Sequence, residues 1–201
     1  MSELEPEPSP AVDESTQTAP PTATTTVRST HPVLVTYATK YGSTQEVAVF
    51  LADKLREAGL AVELQPVGQV RSVGRYGAVV LGAPLYVGRW PKAVRAFLAR
   101  NRAELSRRPL AVFSGGALST EEDQVQEVRE QINKQLAQFP GLVPWAVLSI
   151  GGKYDPASLT CLHGLLAKLP AGPLHGVPAS DVRDWGVIED WAREIGSKLR
   201  E

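Results

Sequence analysis

The sequence predicts an α/β fold, a doubly wound parallel sheet with helices on both faces. Two observations predict it. From Pro32 onward, short apolar runs alternate with stretches of helical periodicity, the pattern of βαβ units. One of those runs, Ala78-Val79-Val80-Leu81, is continuously apolar, as a strand buried on both faces must be.

The first strand is Val33-Leu34-Val35-Thr36-Tyr37. A helix is predicted from Thr44 to Ala58, because Val47, Phe50, Leu51, Leu55 and Ala58 share one face and Gly59 supplies the stop. A second strand alternates through Val62 and Leu64. Gly68 to Tyr76 is too short for a crossover helix, so an irregular turn is expected there. After the third strand, Pro91 opens a helix to Arg100, proline being suited to a first turn. Leu110-Ala111-Val112-Phe113 is the fourth strand, and a helix from Thr120 to Gln138 follows, with Glu121, Glu122 and Asp123 at its positive end. Trp145 to Ile150 is the fifth strand. The last helix takes Asp184 as N-cap and runs to Leu199, burying Val187, Ile188, Trp191, Ile195 and Leu199.

The length of 201 residues fits one domain with an appendage. Residues 1–30 hold five prolines, seven threonines and almost no large apolar side chain, so they are expected to form a disordered tail, and 31–201 the folded domain. The net charge of -1 averages two unlike parts. Glu3, Glu5, Glu7, Asp13 and Glu14 against Arg28 make the tail acidic, which leaves the body near +3. That density is too low for nucleic-acid binding. No apolar run is long enough to span a membrane. The N-terminus lacks the basic and apolar regions of a secretory signal, so the chain is expected to stay in the cytoplasm. Cys161 has no second thiol, and the three histidines are scattered, so no metal site is expected.

In doubly wound sheets the ligand sits outside the carboxyl ends of the strands, where strand order reverses. That directs attention to the loops after Tyr37, Gly82 and Phe113. The first, Thr39-Lys40-Tyr41-Gly42-Ser43-Thr44, runs straight into a helix and reads as an anion cradle, combining hydroxyls, a permissive glycine, unpaired helix amides and the positive end of the dipole. Neither GxGxxG nor GxxxxGK[ST] is present, which narrows the cargo to a single phosphate group. The blander reading has Ser43 simply capping the helix.

The second loop, Gly82 to Pro91, carries Pro84, Leu85, Tyr86, Val87, Gly88 and Trp90 and reads as a clamp for a flat ring; alternatively Tyr86 or Trp90 folds back onto the next helix. The third, Ser114-Gly115-Gly116-Ala117, lets backbone approach a ligand closely. The GxSxG signature of a nucleophile elbow is absent, and no His lies where a triad would require it.

Tyr37, Thr39, Gly42, Thr44 and Ala48 stand at the spacing of the flavodoxin FMN-phosphate signature, which the stretch from Val35 to Phe50 resembles. Thr36 and Phe50 depart from that pattern at positions expected to be packing faces. Gly82-Ala83 followed by an aromatic and Gly88, Tyr154, an insertion before the last helix, and Asp184-Trp185 with Ala192-Arg193-Glu194-Ile195 resemble one branch, the menaquinone-dependent protoporphyrinogen IX dehydrogenases. The resemblance covers Val33 to Leu199. It implies a five-stranded sheet in the order 2-1-3-4-5, with FMN as cofactor and a flavin that performs the chemistry.

Thr39, Lys40, Tyr41, Gly42, Ser43 and Thr44 would then hold the phosphate. Pro84, Leu85, Tyr86, Val87 and Gly88 would line one side of the ring, and Ser114, Gly115 and Gly116 the other. The resemblance further implies oxidation of a reduced tetrapyrrole with a quinone as acceptor. The alternatives are an electron carrier serving redox protein partners and an interaction module without FMN. Residues 157–169 place Leu159, Leu162, Leu165, Leu166 and Leu169 along one helical face, a surface for peripheral membrane contact, for covering a substrate, or for packing on the sheet edge or in a dimer.

Overall fold

The computed structural model describes residues 31–117, 122–154 and 179–200. The tail, the start of the helix placed at Thr120, and the 157–169 segment lie outside the described residues.

The core is a five-stranded, all-parallel sheet in the order β2-β1-β3-β4-β5, formed by β1 (Val33–Tyr37), β2 (Val62–Pro66), β3 (Ala78–Gly82), β4 (Leu110–Ala117) and β5 (Ala146–Gly151). Strand order reverses between β1 and β3, which pair in register from Val33↔Ala78 to Tyr37↔Gly82. That reversal places the loops after Tyr37 and Gly82 side by side. β1 and β3 are buried along their whole length, as the unbroken apolar run of β3 and the largely apolar one of β1 require, whereas the edge strand β2 is half-buried throughout.

Helices α2 (Lys92–Leu105) and α3 (Glu122–Leu136) cover one face through Val94, Phe97, Leu98, Val128 and Ile132. Helices α1 (Ser43–Glu57) and α4 (Trp185–Lys198) cover the other through Leu51, Leu55, Ile188, Trp191 and Ile195. α1 and α4 approach each other closely because position 196 is glycine: a Cβ there would lie 3.2 Å from the Cβ of Ala58. The segment from Gly68 to Tyr76 is irregular, as expected, and is held by the buried side chains of Val70, Val73 and Tyr76.

The structure corrects the sequence reading in several places. Ser114-Gly115-Gly116-Ala117 is not a loop but the end of β4, paired with β5 across a register shift between Gly115 and Ala117. α2 continues past Arg100 to Leu105, carrying its buried stripe from Val94, Phe97, Leu98 and Asn101 on to Leu105. Val187 is 48% exposed rather than buried, since the buried stripe of α4 falls on Ile188, Trp191, Ala192 and Ile195. A two-stranded antiparallel ribbon, β6 (Lys153–Tyr154) with β7 (Ser180–Asp181), follows the end of β5. Gly151 permits this crossing, because a Cβ there would collide with the Val182 carbonyl. Thr36 is fully buried, as its packing role predicts, and Phe50 packs edge-on against Trp185 at 5.1 Å.

Candidate functional site

The first loop closes on itself before α1 begins. The Gly42 N–H donates to Thr39 Oγ1 at 2.9 Å, and Gly42 then serves as N-cap with φ +86°. Only glycine adopts that left-handed conformation freely. Among the described residues no side chain caps the helix, and Ser43 is its first residue and not its cap. The first-turn amides of α1 stand at the positive end of its dipole. Ser43 is half-buried and Thr44 buried.

A carboxylate stands close to this helix end and is neutralised. Glu46 accepts from Arg183 at 2.8 Å and from Lys153 at 3.1 Å. Partial burial opposes its charge, but the bonds from Arg183 and Lys153 together outweigh that and hold its carboxyl below the usual range. The Arg183 side chain is only 3% exposed, and it also binds Asp181, the Ser43 carbonyl and the Trp185 ring. Its hydrogen bond to Asp181 lowers that carboxyl too. Glu46, Asp181, Lys153 and Arg183 thus sum to zero charge, and the ribbon is latched onto the first turn of α1.

The second loop is more ordered than a clamp. Tyr86 and Arg89 exchange both backbone hydrogen bonds, at 3.0 and 3.1 Å, around Val87 (φ +50°) and Gly88 (φ +70°). Positive φ at both central residues makes this a type I′ hairpin tip. A β-branched residue there is a backbone outlier, costing roughly 1–3 kcal/mol. Val87 is nevertheless fully exposed, and among the described residues nothing packs on the strained position in return.

Tyr86 bridges the two loops: its hydroxyl accepts the Lys40 N–H at 3.1 Å, and its ring meets Tyr41 edge-to-face at 6.1 Å. Burial pushes its phenol pKa up. Trp90 folds back into the core and is 1% exposed.

Not every residue proposed to line a ring is accessible. Pro84 and Leu85 are buried, and Leu85 donates its N–H to the Gly115 carbonyl at 3.0 Å. Ser114 is fully buried, with its hydroxyl donated to the Ala83 carbonyl. Tyr86, Val87, Gly88, Gly115 and Gly116 remain at the surface of this end of the sheet. Sequence reasoning missed Arg183, Lys153 and Gln135. Gln135 accepts the Trp90 N–H and donates to the Gly88 carbonyl, both at 3.3 Å, and so fixes the hairpin from α3. A lone arginine or glutamine carries no sequence signal for such a role.

The flavodoxin-domain profile matches residues 34–169, more than half of the chain. The chain belongs to the flavodoxin-domain family. It is similar to protoporphyrinogen IX dehydrogenase [quinone] of Escherichia coli K12, with 29% identity over 171 residues, covering 81% of this chain and 93% of that protein. Among solved structures it is similar to an archaeal flavodoxin (TM-score 0.55, 13% identity, 85% of this chain and 99% of that one). It is also similar to an oxidised flavodoxin from Bacillus cereus (TM-score 0.51, 13% identity, 84% and 96%). At that identity the two structures speak for the fold.

Membership of the flavodoxin family implies FMN as the cofactor. The uncapped α1 terminus, the left-handed Gly42 and the neutralised Glu46 fit a phosphate monoester. Among the described residues, no helix is long and apolar enough to cross a membrane.

Proposed function

We propose that the chain is an FMN-dependent oxidoreductase that oxidises a reduced tetrapyrrole and passes the electrons to a quinone. The observation that carries the reading is the open N-terminus of α1 beside the Tyr86–Arg89 hairpin, at the point where strand order reverses. Thr39, Lys40, Tyr41, Gly42, Ser43 and Thr44 hold the phosphate. Tyr86, Val87 and Gly88 face one side of the flavin ring, and the backbone of Gly115 and Gly116 the other. Pro84, Leu85 and Ser114 support these segments from beneath.

FMN, when bound, supplies the redox chemistry; the protein places it and tunes its surroundings. The tetrapyrrole and the quinone rest on the similarity to the Escherichia coli dehydrogenase. A body near +3 favours an enzyme over an electron carrier, because a carrier docking on basic reductases would be acidic around its flavin.

The purified chain should be yellow or take up FMN. Incubated anaerobically with protoporphyrinogen and a quinone, the loaded protein should turn over without any added reductase. A colourless protein that refuses FMN would sink the redox reading. A yellow one inert toward this pair would be an electron carrier.

A further inference from the structure

The Tyr86–Arg89 hairpin separates two clefts of opposite chemistry. On one side, a cleft of about 190 Å³ between Leu85, Gly116 and α3 contains Glu127 and, among the described residues, no cation. On the other, a cleft of about 430 Å³ is lined by Arg89, Arg95, Lys134, Gln135 and Gln138 together with Val87 and Gly88, and among the described residues no acid lines it. The three cations come from three different elements, the hairpin, α2 and α3. Among the described residues none of the three has an ion-pair partner to neutralise it.

Gathering three like charges into one concavity is unfavourable unless an anion shares it, and a concave wall focuses their field. The volume lies within the range of small-molecule sites. Two guanidinium groups offer planar forks that match carboxylates, and the two carboxamides add neutral donors without repelling an anion.

We propose that this cleft is a carboxylate-binding site for a small organic molecule carrying two or more carboxylates. Arg89, Arg95 and Lys134 hold the carboxylates, and the oxidisable part of the ligand lies over the Val87–Gly88 tip. The placement of that tip against the flavin rests on the reading under Proposed function; the binding of the anion does not.

The test titrates the FMN-loaded chain with benzene-1,3,5-tricarboxylate, with its uncharged triamide of the same shape, and with inorganic phosphate. The tricarboxylate should bind at least about tenfold more tightly than either of the others. Arg95→Gln combined with Lys134→Gln should remove that preference while FMN affinity changes less than about twofold. Equal binding of acid and amide, phosphate binding as tight as the tricarboxylate, no binding of any probe, or a preference that survives in the double variant would overturn the proposal. If the chain refuses FMN, the redox reading falls, and the same titration on the flavin-free chain still decides the cleft.

Discussion

Helices α1 and α4 pack against each other on one face of the sheet, yet their N-termini are finished in opposite ways. Asp184 caps α4 by accepting the Val187 N–H at 3.1 Å. α1 begins at a left-handed glycine with no side chain to cap it. The α4 terminus is closed by its own sequence, and the α1 terminus is the one proposed to take a phosphate. The difference separates a helix end that serves stability from one proposed to serve binding, in two elements that otherwise share a core.

The sharpest way to break the comparison is to close the open end. Gly42→Asp places a carboxylate where the phosphate is proposed to bind, in a conformation that aspartate tolerates better than most residues. FMN affinity measured by fluorescence quenching should fall at least about a hundredfold, while riboflavin, lacking the phosphate, should lose far less. A milder opening of the same site, Ser43→Ala with Thr44→Ala, should weaken FMN by about 1–3 kcal/mol by removing two hydroxyls. Unchanged affinity would mean that the phosphate lies elsewhere.

The converse variant, Asp184→Ala, should cost about 1 kcal/mol of folding stability in urea titration and leave FMN affinity alone. If it weakened FMN as much as the loop variants, the division between the two helix ends would be wrong.

The smallest effect expected is a pH dependence of the latch between them. Arg183 joins the ribbon to α1, and both Glu46 and Asp181 have carboxyl pKa values lowered in the folded protein. A lowered folded pKa contributes stability above the unfolded value that disappears as pH falls through the folded one. The contribution should therefore be complete near neutrality and fade below about pH 4, the usual carboxylate range. Arg183→Met should flatten that part of the stability profile. Both carboxylates are 40% or more exposed, so solvent screening keeps the change small.

The parts of the fold that sequence reading located are those where local and tertiary signals agree. β3 is apolar throughout, and β1 apart from Thr36, because both of their faces are buried. The phosphate loop stands out because Gly42 and its flanking hydroxyls break an otherwise apolar pattern. The extension of β4 was not legible because Gly115-Gly116 carries no strand propensity; it is held by pairing to β5 and by the Leu85–Gly115 hydrogen bond. The same pairing draws Ser114 inward, so a serine that reads as a surface hydroxyl becomes an internal brace for Ala83. The β6–β7 ribbon was missed because its two-residue strands pair across a long sequence separation. Arg183 was missed because its burial depends on acids brought together only by folding.

The central claim is that the open terminus of α1 binds the phosphate of FMN. It is tested most directly by comparing dissociation constants of FMN and riboflavin for the unaltered chain. FMN should bind at least about a hundredfold more tightly, the effect of several charge-assisted hydrogen bonds to one phosphate. Equal affinity for the two flavins would contradict the claim.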